Sequence, residues 1–337
     1  MRKIKYFALV LALLLLTGCG TKAKEETLQI FAMDTVMDFY AVGEGAGEAL
    51  TEAAQEINRL EALLSRTRED SDVYLLNNLS AGEIHEDTHA LLEQAVHYTT
   101  VTGGAFDITI APLVRAWDIH GASPRVPDDE EIADLLTLVG IEHLHLLPGA
   151  AALDGRCSID LGGIAKGYAS DAVARIFRDR GISGGWASLG GNVYAHGTKP
   201  DGSLWSVAVR DPNDTTAAAA LLALSNEFAV TSGGYQRYFT AEDGTVYQHI
   251  LDPKTGKPAE SDLLSVTIVC NNGTMADAYS TALYVMGEDG AVSFWRQRQG
   301  EFDMVLITAD NRILSTPGLA GRVECEEGGA YELCPLS

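Results

Sequence analysis

Apolar residues recur along the chain with two periods, and these periods predict its helices and strands. A period near 3.6 residues predicts helices over residues 48–64, 88–102, 128–138, 164–180 and 274–286. Glycine is the residue most often found just past the end of a helix. It stands where three of these helices should end, at Gly103-Gly104, Gly181 and Gly287.

Period-2 alternation and short apolar runs predict the strands. Residues 29–42 form a strand or hairpin broken at Met33-Asp34-Thr35, and residues 205–210 alternate cleanly. Other strands are predicted at residues 143–147, 156–160, 227–231 and 264–270, the first two joined by a turn at Asp154-Gly155. The alanine-rich residues 217–220 are interpreted as a loop or short helix. Helices and strands mix without a regular repeat, which favours an α+β fold, with mixed β-sheets flanked by helices, over a doubly wound sheet.

The N-terminus has the pattern of a secretory signal. Arg2, Lys3 and Lys5 precede an apolar stretch over residues 6–16 that is too short to span a bilayer. Leu16-Thr17-Gly18-Cys19 follows and resembles a bacterial lipobox, in which the cysteine is lipidated. We predict a signal peptide at residues 1–18, a lipidated Cys19 with a tether over residues 19–27, and one domain over residues 28–337. The protein would then be extracytoplasmic and anchored by lipid to the cell membrane; an ordinary signal peptide cut elsewhere is the alternative.

The chain is strongly acidic. Its formal net charge is −23, and it becomes −26 if the three N-terminal cations leave with the signal. This charge argues against nucleic-acid binding and against a basic membrane-surface patch. An anionic ligand would need local help from a metal, helix N-termini or a few Lys and Arg residues.

Four cysteines remain besides Cys19. Cys157 and Cys270 lie in apolar stretches and are predicted to be buried thiols. Cys325 and Cys334 lie close together in the sequence. In an extracytoplasmic protein they could either form a disulfide or stay as two free thiols, and both alternatives are kept. No cysteine spacing indicates zinc.

The segment Asp160-Leu161-Gly162-Gly163-Ile164-Ala165-Lys166-Gly167-Tyr168 is the first candidate site. A strand ends in an aspartate, two glycines follow, and a helix begins. Glycines allow close approach of a ligand, and the N–H groups at a helix N-terminus suit a phosphate. A strand-to-helix turn without a ligand explains the same residues equally well. The segment has neither a P-loop nor a Rossmann pattern.

The second candidate lies in Thr274-Met275-Ala276-Asp277-Ala278-Tyr279-Ser280-Thr281-Ala282. Asp277 and Thr281 are four residues apart, so they share one helix face and can offer hard oxygen ligands to Mg²⁺. A helix cap, with Thr274 as N-cap and Asp277 at the third helical position, is the stronger interpretation on local grounds.

His249 precedes the turn Asp252-Pro253-Lys254-Thr255-Gly256 and would suit a general base only if the other segments meet it in space. Three glycine-rich segments are each explained as turns: Gly103-Gly104-Ala105-Phe106-Asp107, Ser188-Leu189-Gly190-Gly191-Asn192 and Thr231-Ser232-Gly233-Gly234.

Together, the order and spacing of these segments resemble the ApbE family of FAD:protein FMN transferases, over nearly the whole mature chain. The resemblance implies a single ApbE-like domain in which Asp277 and Thr281 bind Mg²⁺ with a backbone carbonyl near Gly163. It also implies catalytic roles for His249 and Asp277. The positions that would contact FAD are Met33, Tyr74, Ala105, Phe106, Asp107, Asp160, Lys166 and Ile250. The chain departs from many relatives at Asp34, where they have glycine, and from some at Lys166, where they have an acidic residue.

The activity that the resemblance implies is Mg²⁺-dependent transfer of FMN from FAD to a Ser or Thr of an acceptor protein, through a phosphoester bond, with release of AMP. Relatives modify a motif resembling [ST]-G-A-[ST]. The nearest local string, His120-Gly121-Ala122-Ser123, begins with His instead of a hydroxyl residue. The expected acceptor is therefore another protein, an extracytoplasmic electron-transfer subunit. Two alternatives stay open: a Mg²⁺-dependent FAD pyrophosphatase that gives FMN and AMP, and a flavin-binding lipoprotein.

Overall fold

A computed structural model describes residues 24–119, 121–325 and 329–337. The predicted signal peptide, Cys19, most of the tether and His120 lie outside the described residues. The first strand begins at Glu25, so the last three residues assigned to the tether belong to the folded domain. In the described part of the chain, no helix is both long enough and apolar enough to span a bilayer.

Seven α-helices occur among the described residues. They are α1 (Ala46–Leu64), α2 (Asp72–Leu79), α3 (Glu86–Val101), α4 (Ala111–Trp117), α5 (Asp129–Leu136), α6 (Ala165–Asp179) and α7 (Gly273–Arg296).

The strands of the described residues, in chain order, are β1 (Glu25–Ala32), β2 (Thr35–Val42), β3 (Ala81–Glu83), β4 (Leu144–Leu147), β5 (Ala150–Leu153), β6 (Gly184–Leu189), β7 (Asn192–Gly197), β8 (Trp205–Arg210), β9 (Ala218–Leu224), β10 (Glu227–Ser232), β11 (Tyr238–Thr240), β12 (Val246–Gln248), β13 (Leu263–Cys270), β14 (Asp303–Thr308), β15 (Arg312–Ser315), β16 (Val323–Glu324) and β17 (Glu332–Pro335).

A nine-stranded sheet with the order β1-β2-β6-β7-β10-β13-β14-β15-β17 organises the domain. Its neighbours are antiparallel except for β15 and β17, which are parallel. Helices α1, α6 and α7 pack on one face and form the main core. A three-stranded sheet, β16-β9-β8, contributes to a second core that includes residues from the other face. The α+β prediction, with mixed sheets flanked by helices, is confirmed.

Five predicted helices and the first hairpin are present within a few residues of the predicted bounds. Strands β1 and β2 are joined by Met33 and Asp34, whose φ angles of 48° and 58° form a tight left-handed turn. The backbone leaves helical geometry at Gly287 (φ 72°, ψ −178°), where the sequence predicts a helix end, and a second helical segment follows this kink and completes α7 to Arg296.

Two sequence predictions are wrong because tertiary pairing decided the local structure. Residues 156–160 are not a strand. Strand β4 pairs instead with β5, since the chain turns earlier, at Gly149 (φ 70°). Residues 217–220 are not a loop or helix, because three of them open strand β9, whose small side chains pack in the second core. All four described cysteines are free thiols, including Cys325 and Cys334, and Cys157 and Cys270 are buried as predicted.

A buried histidine, His196 on β7, makes folding sensitive to acid. Its Nδ1 lies 2.9 Å from the Tyr194 hydroxyl and its Nε2 2.9 Å from the Ile182 carbonyl oxygen. Burial lowers the pKa of His196, because desolvation disfavours the imidazolium. The neutral ring therefore favours the folded state above its unfolded pKa of about 6.5, and this contribution is lost as the pH falls below that value.

We expect the free energy of unfolding, measured by urea titration, to fall from pH 7.5 to pH 5.5. Because the unfolded pKa is about 6.5, His196 can contribute at most about 1.4 kcal/mol to the fall over this pH interval. Replacement His196→Gln, which retains a donor and an acceptor but does not titrate, should reduce the fall. Equal pH dependence of the two proteins would contradict this assignment.

Candidate active site

A cleft of about 390 Å³ opens on the helix-covered side of the large sheet. Its volume lies within the range of small-molecule sites. Eleven of the twelve predicted site residues in the domain line it: Met33, Ala105, Phe106, Asp107, Asp160, Gly163, Lys166, His249, Ile250, Asp277 and Thr281. Tyr74 does not line it. It lies in the first turn of α2, where its backbone N–H donates to the Ser71 hydroxyl at 3.0 Å.

Asp277 and Thr281 reach the cleft from the same face of α7. Asp277 is only 4% exposed, and its Oδ2 accepts the backbone N–H of Gly167 at 2.8 Å. Thr281 lies beside Gly163, where an added Cβ would stand 3.6 Å from the threonine Oγ1. One carboxylate, one hydroxyl and the backbone at Gly163 are thus brought together, although they lie in separate parts of the sequence.

The helix-cap interpretation of Asp277 is wrong. The N-cap of α7 is Asn272, whose side chain accepts the N–H of Met275 at 2.8 Å. Thr274 does not cap its own helix, because its hydroxyl donates to Asp171 Oδ2 at 2.6 Å. Asp277 is therefore available to the cleft and to helix α6, instead of closing the first turn of α7.

Helices α6 and α7 touch through backbone at Gly167 and Gly273. A Cβ on Gly167 would lie 2.3 Å from the Gly273 carbonyl oxygen and 2.7 Å from the Asp277 Cβ. Asp171 of α6 accepts the backbone N–H groups of Gly273 and Thr274 at 2.7 and 2.8 Å. Burial raises the pKa of Asp171, and these donors oppose that effect. This close contact between the two helices holds Asp277 in place.

The start of α6 differs from the predicted phosphate cradle. The N–H groups of Ala165 and Gly167 are bonded within the protein, to the Leu161 carbonyl and the Asp277 carboxylate. Asp160 accepts the N–H of Gly162 at 2.8 Å, and Lys166 Nζ lies 3.1 Å from the Gly162 carbonyl oxygen. Two N–H groups of this turn are therefore engaged within the protein, and Lys166 brings a positive charge to the cleft.

Cationic side chains that the sequence did not single out line the same cleft. They are Arg66, Arg68 and Arg237. Arg66 lies 3.3 Å from Asp160 Oδ2, and Arg237 donates to the Asp34 carbonyl oxygen at 3.3 Å. They supply local positive charge in a chain whose net charge is −23. Arg66 and Arg68 could have been found in the sequence from the segment Ser65-Arg66-Thr67-Arg68, which directly follows the first predicted helix.

His249 enters the cleft from the chain that follows β12. Its ring Nδ1 lies 3.1 Å from the Arg237 carbonyl oxygen, and its backbone N–H bonds to the same carbonyl at 3.1 Å. Gln248 accepts the N–H of Ile250 at 2.6 Å and thereby orders the next residue. The histidine ring is thus oriented by backbone at the wall of the cleft that also carries Arg237.

Phe106 and Asp107 form another wall. The ring of Phe106 packs on Gly163, where an added Cβ would lie 3.2 Å from the ring. Asp107 is 7% exposed, and its Oδ1 accepts both the N–H and the hydroxyl of Thr109. Burial raises the pKa of Asp107, because removal from water disfavours the carboxylate.

The other two segments explained as turns also reach the cleft. Asn192 and Ser232 line it, and the Ser232 hydroxyl lies 2.8 Å from Ser280 Oγ and 3.3 Å from Thr281 Oγ1. Among the described residues, no group of three or more His, Cys, Asp or Glu side chains could hold a metal. The possible metal ligands beside Asp277 are mostly neutral oxygen atoms. Such oxygen ligands suit a hard cation such as Mg²⁺ better than zinc.

The fold and this cleft define an α+β protein with a site for an anionic small molecule, built from one buried carboxylate, hydroxyl groups and cations. The chain belongs to the ApbE family, whose model matches residues 33–306.

Curated relatives and solved structures agree with that membership. The chain is 32% identical over 295 residues to the FAD:protein FMN transferase of Treponema pallidum (strain Nichols), covering 82% of this chain and 81% of that protein. It is 31% identical over 312 residues to the FAD:protein FMN transferase of Vibrio cholerae serotype O1, covering 89% and 92%. The apo form of the Pseudomonas stutzeri flavinyl transferase ApbE superposes with a TM-score of 0.77 at 29% identity, over 86% of this chain and 92% of that one. The ApbE protein of Thermotoga maritima also gives 0.77, at 30% identity, over 90% and 98%.

Replacement Gly167→Ala should disturb fold and site together, because the added methyl group overlaps the Gly273 carbonyl. Overpacking of this kind costs about 1–3 kcal/mol in the free energy of unfolding. We expect a lower thermal midpoint by calorimetry, together with weaker binding of divalent cations. Gly82→Ala is the matched control, since a Cβ there meets nothing within 4 Å. A Gly167→Ala protein as stable as the control would contradict the claim that the contact between α6 and α7 requires glycine at this position.

Proposed function

We propose that this chain is an FAD:protein FMN transferase. The observation that carries the proposal is the convergence of Asp277, Thr281 and Gly163 in a cleft lined by cations and His249. A dinucleotide with a diphosphate group fits this charge pattern, and the similarity to proteins named for this activity supports the choice.

The residues present fit a Mg²⁺ ion. Asp277, Thr281 and a backbone carbonyl near Gly163 would hold it, and Gly167 keeps the Asp277 carboxylate oriented. Bound there, the ion would neutralise charge on the diphosphate as its P–O bond breaks. Arg66, Arg237 and Lys166 would add to this neutralisation from other walls of the cleft.

The chemistry is a displacement at phosphorus. A Ser or Thr hydroxyl of the acceptor protein attacks the phosphorus on the riboflavin side of FAD, the bond to AMP breaks, and a phosphoester joins FMN to the acceptor. His249 stands in the cleft wall, where it would take the hydroxyl proton as the new bond forms. The arginines and Lys166 hold the diphosphate, so the reacting atoms are brought into line before attack.

The acceptor and the location belong to the same proposal. The N-terminal sequence supports a lipid anchor at Cys19 and a place on the outer face of the bacterial membrane. The acceptor there would be an electron-transfer subunit that carries an [ST]-G-A-[ST]-like motif.

Metabolic labelling with a radioactive fatty acid tests the anchor. Label in the wild-type protein and none in Cys19→Ala supports it, whereas equal labelling or no labelling refutes it.

Replacement Asp277→Asn should abolish most of the activity while preserving the fold. The amide oxygen can still accept the Gly167 N–H, but the negative charge that attracts Mg²⁺ is lost. We expect AMP release from FAD to fall roughly 100-fold or more, with a raised Mg²⁺ requirement. The exposed Asp134→Asn on α5 serves as control. Unchanged AMP release from Asp277→Asn would refute the metal assignment.

Transfer and hydrolysis differ in where FMN ends. The enzyme would be incubated with FAD, Mg²⁺ and an acceptor domain, and then with the same domain lacking the motif hydroxyl. We expect flavin fluorescence on the denatured intact acceptor, one AMP released for each FMN attached, and none on the variant. Free FMN as the sole flavin product would instead identify a pyrophosphatase. FAD bound without any AMP release would identify a flavin-binding lipoprotein.

A further inference from the structure

Asn192 carries a buried side-chain amide in the wall of the cleft. It opens strand β7 after the turn at Gly190-Gly191 and is 2% exposed. Its side-chain Nδ2 has no hydrogen-bond partner among the described residues. The same residue lines the cleft that holds Asp277 and Thr281. An unpaired buried amide is costly to a fold, so its retention in the wall of a ligand site indicates a partner that arrives with the ligand.

The strand register places Asn192 close to the proposed reaction centre. Asn192 pairs with Val230 of β10, and Ser232 lies two residues further along that strand. Side chains two residues apart on a strand point to the same face of a sheet. Ser232 contacts Thr281 on this face. Asn192 therefore lies on the same sheet face as Ser232, the face that meets α7.

The chemistry of the group restricts what it can bind. A side-chain N–H donates and does not accept, so its partner must be an acceptor oxygen or nitrogen. It is neutral, and therefore adds direction to the binding of an anion without adding charge. The cations of the cleft, Arg66, Arg237 and Lys166, already engage protein oxygens, whereas the Asn192 donor engages none that is described.

We propose that Asn192 donates a hydrogen bond to a non-bridging phosphate oxygen of the FAD diphosphate and positions it beside Asp277 and Thr281. This inference rests on the proposed function, because it takes the dinucleotide as the ligand. Asn192 is then a residue that binds the substrate, and its contribution appears in affinity for the diphosphate more than in the stability of the free protein.

Two replacements of Asn192 test this role. Asn192→Ala removes the donor, and we expect the dissociation constant for FAD to rise roughly tenfold. Asn192→Asp has nearly the same shape but turns an anion toward the phosphate, so its loss should be larger. The thermal midpoint of the ligand-free Asn192→Ala protein should stay at the wild-type value or rise, since the Asn192 side-chain donor has no partner among the described residues to lose. Asn226→Asp, on the exposed β9–β10 turn, is the control.

The ligands used as probes identify which group the amide contacts. Binding would be measured by quenching of flavin fluorescence for FAD and riboflavin, and by competition for ADP. Weaker binding of FAD and ADP by Asn192→Ala, with riboflavin unchanged, supports the proposal. Weaker binding of riboflavin with ADP unchanged would overturn it in favour of a contact with the flavin ring. Wild-type affinity for all three ligands, or a lowered midpoint of the free protein with no specific loss of affinity, would also overturn it.

The test separates this inference from the proposed function. A wild-type protein that releases no AMP from FAD when Mg²⁺ and an acceptor domain are both present refutes the proposed function, and the binding measurements still decide the role of Asn192. A wild-type protein that releases AMP, together with an Asn192→Ala variant of unchanged KM and kcat, refutes only the inference. The proposal predicts a raised KM for FAD with a smaller change in kcat.

Discussion

The backbone contact between helices α6 and α7 is the constraint on which the site depends. Gly167 and Gly273 allow the two helices to meet without side chains between them. Each helix then binds the other through a carboxylate: Asp171 of α6 accepts N–H groups at the start of α7, and Asp277 of α7 accepts the N–H of Gly167. These bonds satisfy donors that helix N-termini leave without partners. The geometry of Asp277 is therefore set by the same contact that joins the two helices.

This arrangement explains how an acidic protein can hold an anionic substrate. One oxygen of Asp277 is used by the fold, and the other accepts no hydrogen bond from a described residue. Thr281, Ser232 and the backbone at Gly163 add neutral oxygens nearby. Cations line the remaining walls, so the local charge at the cleft differs from the average over the chain. The negative charge elsewhere on the surface does not need to take part in binding.

Sequence patterns predicted the elements whose structure is locally determined. The first hairpin and five helices follow from periodicity, because their apolar positions face the core that they help to form. The strand at Ala218–Leu224 was missed, since short alanine-rich segments carry no period that separates strand from helix or loop. The helix-cap interpretation of Asp277 failed for a related reason. Thr274 and Asp277 have the spacing of a cap, but their partners, Asp171 and Gly167, lie more than 100 residues away.

Most of the predicted site could be found from sequence, and the rest depended on contacts across the fold. The residues that match the family's motifs converge, apart from Tyr74. Asn192 and Ser232 lie in segments that look like ordinary glycine turns, and only the pairing of β7 with β10 places them beside α7. Their position in the site follows from the register of the sheet, which a local sequence pattern cannot predict.

The position of the divalent cation in a crystal of the protein with FAD tests the metal assignment most directly. Mn²⁺ in place of Mg²⁺ would make the ion visible by its anomalous scattering. We expect a single strong peak within about 2.3 Å of an Asp277 carboxylate oxygen and of the Thr281 hydroxyl. A peak elsewhere in the cleft, or a diphosphate bound with no ion at Asp277, would contradict it.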